Sequence, residues 1–182
     1  MPTFFLQTDP FDQKLVGDVF PGDWKNPPPA ALYDLVVVGG GPAGMTAATV
    51  ATGVKARVAV VEREHFGGEC LSVGCIPSKA LLRSARAAAA VRDAAEYGIE
   101  VAGGWKVNFP AVMERVRRLR TVISPEDSAE HFRRLGADVF LGAGRFTGRD
   151  ALEVAGQTLR FRKALIAAGT LPARLACWPS TG

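Results

Sequence analysis

The sequence is poor in cysteine and histidine, with three cysteines and two histidines in 182 residues. Three cysteines do not make the disulfide framework of a small secreted protein, so a closely spaced pair points to metal binding or redox chemistry. Two histidines and one such pair supply too few ligands for a structural zinc site. We therefore expect no resident metal.

Runs of one charge sign are also absent. The chain has 22 basic and 18 acidic residues spread along its length, a net charge of +4, and this mixed surface gives no reason to expect a nucleic-acid partner. The N-terminus has a short apolar core with no preceding basic residue, unlike a signal peptide, so we expect a cytoplasmic protein. The uncharged run 35–54 reaches the length of a membrane span, but its glycines, threonines and Pro42 favour a soluble strand, turn and helix, and we expect no membrane contact.

Prolines divide the chain. Residues 1–32 are interpreted as an N-terminal extension that ends in the linker N-P-P-P-A, because consecutive prolines hold the backbone extended. The length suits one ordinary domain, which we place at 33–173, followed by a tail of divergent sequence at 174–182.

The stretch Y-D-L-V-V-V-G-G-G-P-A-G is typical of a dinucleotide-binding turn. The apolar runs 35–38 and 58–61 predict two buried parallel strands, and residues 39–44 between them match G-x-G-x-x-G before a helix. Gly39 permits the tight turn, Gly41 allows a pyrophosphate to approach, and Gly44 allows close packing of helix on strand. Glu62 ends the second strand, where a carboxylate can accept hydrogen bonds from an adenosine ribose.

The stretch G-G-E-C-L-S-V-G-C-I-P-S-K places Cys70 and Cys75 five positions apart. A disulfide closing so short a loop stabilises a fold by only about 2 kcal/mol, which makes it a poor staple. Residues five apart in a regular helix are separated by about 7.5 Å along the axis, so Gly74 and Pro77 predict a distorted turn that brings the sulfurs together. Free N–H groups and Lys79 should favour the thiolate. This pattern favours a redox pair, with two buried structural cysteines as the alternative.

These motifs, together with V-V-E and A-L-I-A-A-G-T-L-P-A, resemble the first half of the class I pyridine nucleotide-disulfide oxidoreductases, which include dihydrolipoamide dehydrogenase, glutathione reductase and mercuric reductase. The resemblance covers residues 33–173, and the segment from Phe109 with the Pro-rich lead is most similar to the mercuric reductase-like branch. It implies an α/β fold: a Rossmann-like FAD-binding domain with a parallel sheet, helices and a small antiparallel meander, incomplete relative to the family.

The resemblance also assigns roles to residues. Cys75 would lie against the flavin, and Cys70 would be the thiol that meets substrate. The residues expected to contact FAD, from the pyrophosphate and ribose to the adenine and isoalloxazine, are Gly39, Gly41, Pro42, Ala43, Gly44, Glu62, Gly68, Lys79, Ala143, Gly144, Ala168 and Gly169. NAD(P)H and a homodimer are expected only for a full-length family member.

Two functions follow from the sequence. The first is an oxidoreductase that passes electrons from NAD(P)H through FAD to Cys70–Cys75 and on to a small-molecule disulfide or a thiophilic metal ion such as Hg(II). The alternative is a non-catalytic FAD-binding fragment from a truncated or frame-shifted reading frame, because no second glycine fingerprint occurs. His65, His131 and Cys177 are given no catalytic role. The arginines of residues 115–120 are expected to form a solvated face.

Overall fold

Six strands form one sheet within residues 9–170, the part of the chain that the structure, a computed structural model, describes. The strands are β1 (Tyr33–Val38), β2 (Val58–Glu62), β3 (Asp138–Leu141), β4 (Gly144–Phe146), β5 (Ala151–Val154) and β6 (Gln157–Ile166). Their order across the sheet is β3-β2-β1-β6-β5-β4. Because β1 lies between β2 and β6, the chain crosses over from one half of the sheet to the other.

The sheet is parallel on one side and antiparallel on the other. β1 pairs in parallel with β2 and β6, and β2 pairs in parallel with β3. β4, β5 and β6 form the antiparallel meander. β6 belongs to both parts, since residues 157–160 pair with β5 and the pairing with β1 begins at Phe161. The predicted α/β fold, with a parallel sheet and a small meander, is confirmed.

Six α-helices accompany the sheet in the described residues: α1 (Pro10–Val19), α2 (Pro42–Gly53), α3 (Gly68–Ser72), α4 (Cys75–Arg92), α5 (Phe109–Ile123) and α6 (Ala129–Arg134), and a short 3-10 helix (Ala94–Tyr97) follows α4. The first was not expected. Asp9 caps α1 by accepting a hydrogen bond from the Phe11 N–H at 2.8 Å. Leu15 and Val19, one turn apart, are fully buried, so part of the predicted extension packs into the core. The domain boundary at 33 stays a prediction.

Alternate residues of the central strands face two different layers, as the period of a strand requires. Val37 and Val60 join the core beneath the helices, which includes Leu15, Phe66 and Phe132. The neighbouring residues of each strand face the meander instead, in a second core cluster that contains Tyr33, Val36, Ala59, Val61, Phe140, Leu152, Val154, Leu159 and Phe161. Burial on both faces explains why these strands are continuous apolar runs.

The segment between α1 and β1 covers the edge strand β3. The Asn26 side chain accepts a hydrogen bond from the Leu141 N–H at 2.8 Å and donates one to the Leu141 carbonyl at 3.0 Å. The indole N–H of Trp24 donates to the Val139 carbonyl at 3.2 Å. These bonds occupy main-chain groups that an uncovered edge strand would present to another chain.

Candidate functional site

The turn between β1 and α2 is so tight that two of its glycines have no room for a side chain. Gly39 has φ +113°, and a Cβ there would lie 2.2 Å from the Ala167 carbonyl oxygen. A Cβ on Gly44 would lie 1.8 Å from the Gly39 carbonyl oxygen. The first glycine thus lets the turn approach the chain that follows β6, and the third lets α2 pack on the turn itself, as the motif predicts.

Gly41 differs from its neighbours because space is open beside it. It is the N-cap of α2, with ordinary extended backbone and no side-chain cap. The nearest atom to a Cβ built there is the Gly68 Cα, at 3.9 Å. The first N–H groups of a helix have no intrahelical partner and lie at its positive end, which suits an anion. Pro42 and Ala43 are exposed beside this position, so the backbone present fits a pyrophosphate.

Glu62 has a structural role that the sequence did not reveal. Its carboxylate is buried and accepts hydrogen bonds from the Gly40 N–H at 2.5 Å, the Glu64 N–H at 2.5 Å and the His65 N–H at 3.1 Å. A carboxylate has about four acceptor positions, so about one is left for a ribose hydroxyl. The residue therefore joins the glycine turn to the end of β2, and its contact with ribose stays a prediction.

The other predicted cofactor residues lie at the same edge of the sheet. The Ala167 N–H donates to the Val38 carbonyl at 2.8 Å, which places Ala168 and Gly169 directly after the end of β6 and beside the end of β1. The Gly142 N–H donates to the Glu62 carbonyl at 2.8 Å, which places residues 143–144 beside the end of β2. At this edge the chain crosses over from the β2 side of β1 to the β6 side. Open α/β sheets bind ligands at the carboxyl ends of the strands at such a crossover point.

The start of α3 packs directly on the glycine turn. The Gly67 N–H donates to the Gly40 carbonyl at 2.9 Å, and a Cβ on Gly68 would lie 3.1 Å from the Gly41 Cα. Cys70 follows in the same short helix. The structure therefore brings the cysteine segment against the predicted pyrophosphate position.

The predicted distortion between the two cysteines is confirmed as a break between two helices. α3 ends at Ser72, and α4 begins at Cys75 after its N-cap Gly74. The Gly74 N–H donates to the Glu69 carbonyl at 2.6 Å, and a Cβ on Gly74 would lie 2.8 Å from that oxygen. Glycine at this position therefore allows the chain to turn sharply between the thiols.

Both cysteines are free thiols in the structure, Cys70 half-buried and Cys75 exposed. Burial, followed by the hydrogen bond with Cys75, raises the pKa of the Cys70 thiol to about 11. The expectation that local N–H groups and Lys79 favour the thiolate is therefore wrong for Cys70. Lys79 is exposed and lies one turn beyond Cys75 on the same side of α4. The predicted disulfide stays a prediction, and Cys177 lies outside the described residues.

Of the four arginines of α5 only Arg118 is exposed, so they do not form the solvated face that the sequence suggested. The Arg115 side chain donates to the Ala80 carbonyl of α4 at 3.0 Å, and Arg117 pairs with Asp9 at 2.6 Å. Arg120 is buried and pairs with Asp12, a residue of α1. Charge on a helix face would ordinarily remain in water, but Asp9 at the cap of α1 and Asp12 within it pair with Arg117 and Arg120 and draw these two side chains inward. The repeated aspartates of α1 were the available signal.

In the part of the chain that the structure describes, clusters of metal ligands are absent and a cavity lies away from this site. Within residues 9–170, no group of three or more histidine, cysteine and acidic side chains could hold a metal ion, and no helix is long and apolar enough to cross a bilayer. A cavity of about 680 Å³ lies between the chain after α1, α6 and β3, lined by Trp24, Arg133 and Asp138 among others, and it contains none of the predicted site residues. We assign the site from the backbone at the sheet edge, where anion-binding geometry is present.

Fold and site together define a class of protein: a dinucleotide-binding α/β domain that carries a thiol pair beside its glycine turn. Comparison with known proteins specifies the family. The sequence matches the family described as "Pyridine nucleotide-disulphide oxidoreductase" over residues 33–180. The chain belongs to this family, and the resemblance seen in its motifs is confirmed.

Similar proteins agree with this membership. The chain is 35% identical over 148 residues to a dihydrolipoyl dehydrogenase of Mycoplasma pneumoniae, covering 77% of this chain and 30% of the relative. It is 42% identical over 120 residues to a dihydrolipoyl dehydrogenase of Bacillus subtilis, covering 65% of this chain and 25% of the relative. Among solved structures, the HOCl-induced flavoprotein disulfide reductase RclA of Escherichia coli aligns with a TM-score of 0.60 and 25% identity, covering 79% of this chain and 30% of that one.

The chain spans between a quarter and a third of the length of these relatives. The family match begins at the predicted domain start and continues past residue 173 to 180. Membership confirms FAD as the predicted cofactor, with NAD(P)H as the substrate in full-length members. The residues that hold FAD in this chain, its substrate and its partners are matters for proposal.

Proposed function

We propose that this chain binds FAD along the carboxyl edge of its parallel strands and exchanges electrons between the flavin and the Cys70–Cys75 pair. One observation carries the proposal: α3 packs on the glycine turn, with Gly68 against Gly41. A backbone suited to an anion and a thiol pair are thereby neighbours, and a flavoprotein disulfide oxidoreductase needs both.

The roles of the residues follow from their positions. The N–H groups at the start of α2 would hold the pyrophosphate, with Gly41 leaving room for it. The remaining acceptor position of Glu62 would take a ribose hydroxyl. Ala143 and Gly144 would face the adenine, and Lys79, Ala168 and Gly169 would lie near the isoalloxazine.

FAD supplies an electron pair when bound, which in full-length members comes from NAD(P)H. The Cys70–Cys75 disulfide takes up two electrons and two protons and becomes two thiols. One of these, as its thiolate, attacks a substrate disulfide and releases one substrate thiol. The second cysteine attacks the resulting mixed disulfide, releases the other substrate thiol and restores the Cys70–Cys75 bond. Hg(II) is the alternative acceptor, and we propose a cytoplasmic homodimer for the full-length protein.

The visible spectrum of the chain tests this function. The purified 182-residue protein is incubated with excess FAD, freed of unbound flavin and scanned, and its thiols are counted before and after mild reduction. We expect bound flavin, and two additional thiols after reduction. The double variant Cys70→Ser, Cys75→Ser should lack these two additional thiols. Absence of bound flavin, or two independent thiols under oxidising conditions, would contradict the proposal.

A second function is a flavin-binding unit without turnover. The observation that favours it is the exposure of Pro42, Ala43, Lys79, Ala168 and Gly169, because nothing in the described residues covers this side of the site. Oxidation of NADH and NADPH is followed with lipoamide, glutathione disulfide and Hg(II) as acceptors, beside a dithionite titration. Saturable, flavin-dependent turnover favours the oxidoreductase, whereas flavin that only dithionite reduces favours the unit without turnover.

A further inference from the structure

Ser72 lies between the two cysteines, and its main chain is held from another helix. It is the last residue of α3 and is buried. Carbonyl groups at a helix C-terminus lack intrahelical partners. The Arg120 side chain of α5 donates a hydrogen bond to the Ser72 carbonyl at 3.0 Å. The Ser72 hydroxyl donates to the Gly68 carbonyl at 2.8 Å, so this residue is fixed at both its main chain and its side chain.

Arg120 is in turn fixed by Asp12. The two side chains form an ion pair, and both are almost completely buried, with 8% and 3% of their side-chain surfaces exposed. One guanidinium nitrogen contacts the carboxylate and another contacts the Ser72 carbonyl. The planar guanidinium thus connects α1 to the end of α3 in one defined orientation.

Asp12 lies outside the segment that matches the family, which begins at residue 33. The contact therefore makes the cysteine turn depend on a helix that the family match does not include. A buried pair of charges is costly to form and often contributes little stability compared with apolar side chains of similar size. The geometry of the Asp12–Arg120 pair points to a role other than stabilising the fold.

We infer that Asp12 and Arg120 are positioning residues that hold the turn between Cys70 and Cys75 in the shape required for disulfide formation. The inference rests on the proposed redox function of these cysteines. A disulfide requires its Cα atoms about 4.4–6.8 Å apart, closer than residues five apart in a regular helix. The break after Ser72 meets this need only if the end of α3 stays in place, and the Arg120 hydrogen bond fixes that end.

The thiol–disulfide equilibrium between the reduced protein and glutathione disulfide measures how readily Cys70 and Cys75 form a disulfide. Two protein thiols lose their S–H bonds and form one S–S bond, while glutathione disulfide takes up the two electrons and two protons and becomes two glutathione thiols. The populations are trapped by alkylation at each ratio of oxidised to reduced glutathione. The resulting equilibrium constant reports how favourably the fold places the two sulfurs.

The decisive variant is Asp12→Leu with Arg120→Met, which replaces the buried pair by apolar side chains and removes the bond to Ser72. Such replacements often leave stability unchanged or increase it. The matched control is Asp9→Asn with Arg117→Met, because this pair also joins α1 to α5 and asparagine can keep the helix cap. We expect the equilibrium constant to fall about tenfold in the first variant, about 30 mV for a two-electron couple, and to stay within about twofold in the control.

Urea unfolding and FAD binding are measured on the same samples, so that loss of fold is recognised. If the parent protein forms no Cys70–Cys75 disulfide, the proposed function and this inference both fail. If the parent forms it and the Asp12, Arg120 variant keeps the parental equilibrium constant, only the inference fails. An equal fall in the control would also overturn it, because any loss of packing between α1 and α5 would then be sufficient. If the first variant unfolds, Arg120→Lys replaces it, because one ammonium group cannot reproduce the two separate contacts of the guanidinium to Asp12 and Ser72, and a parental equilibrium constant there would overturn the inference.

Discussion

Replacing Gly41 by alanine should separate ligand binding from folding. The backbone at Gly41 suits any residue, and the added methyl group would meet no atom closer than 3.9 Å. The free energy of unfolding should fall by about 0.5–1 kcal/mol at most, because alanine is a poorer N-cap than glycine. The same methyl group would occupy the space in which we place the pyrophosphate.

The expected loss of affinity is large. A hydrogen bond to a charged group contributes about 1.5–3 kcal/mol. If the methyl group displaces the pyrophosphate from two N–H groups, the Kd for FAD should rise by about a hundredfold or more, since each factor of ten is about 1.4 kcal/mol.

Gly44→Ala is the matched comparison because it adds the same atom three residues away. That Cβ would lie 1.8 Å from the Gly39 carbonyl oxygen, so the turn must open. We expect a loss of about 3 kcal/mol or more in the free energy of unfolding, at the upper end of overpacking effects. Urea unfolding followed by circular dichroism gives stability, and flavin fluorescence gives affinity. Parental FAD binding by the folded Gly41→Ala protein would refute the placement of the pyrophosphate.

Three further predictions concern residues that support the site. Burial of Cys70 raises its pKa from 9.0 to about 11. At pH 8 the alkylation of Cys70 in the reduced folded protein should therefore be about a hundredfold slower than in urea, and its rate should increase up to pH 11. Alkylation followed by peptide mapping measures this rate, and a pH profile with its midpoint near 9 would contradict the prediction. Glu62→Gln should lower the free energy of unfolding by about 2 kcal/mol or more, because an amide cannot accept from all three N–H groups, and parental urea stability would contradict it. Asn26→Ala should cost about 1–3 kcal/mol through the two lost bonds to Leu141, measured in the same way, and an unchanged midpoint would show that the edge strand needs no cover.

The glycine turn could be predicted from the sequence because its physics is local. A Cβ at Gly39 or Gly44 would collide with neighbouring backbone, so the spacing of glycines records the shape of the turn directly. The break between Cys70 and Cys75 was predictable for a similar reason, since Gly74 and Pro77 limit regular helix over a few residues.

Helix α1 was within reach of the sequence but was missed. Asp9 as a cap, Pro10 at the first helical position and the pair Leu15 and Val19 one turn apart are all helix signals. The prolines of the following linker indicate irregular backbone over residues 26–30 only and do not oppose a helix at 10–19. The linker itself has no regular secondary structure, and it connects two packed elements.

The burial of Arg120 in α5 could not be predicted from the helix pattern. Arg120 and Asp12 are 108 positions apart in the chain. The 3.6-residue period places Arg120 on a polar face, and only the tertiary fold places a carboxylate opposite that face. Glu62 is an intermediate case: Glu64 and His65, which donate two of its hydrogen bonds, are close in sequence, whereas the Gly40 N–H comes from 22 positions earlier and only the tertiary fold brings it to the carboxylate.

The residues assigned to the two halves of FAD differ in burial, and this difference predicts which half contributes more to binding. In the ADP half, the pyrophosphate and ribose are assigned to the glycine turn and Glu62, which buried packing and main-chain hydrogen bonds hold in place, whereas Ala143 and Gly144, assigned to the adenine, are exposed. The residues assigned to the flavin half, Lys79, Ala168 and Gly169, are exposed. Ligand affinity depends on burial and preorganisation, so the ADP half should supply most of the binding free energy. We expect ADP to compete with FAD with a Kd within about tenfold of that of FAD, and riboflavin to bind at least about a hundredfold more weakly. Calorimetric titration of the three ligands decides the matter: riboflavin binding as tightly as FAD would show that the isoalloxazine site, not the glycine turn, dominates recognition.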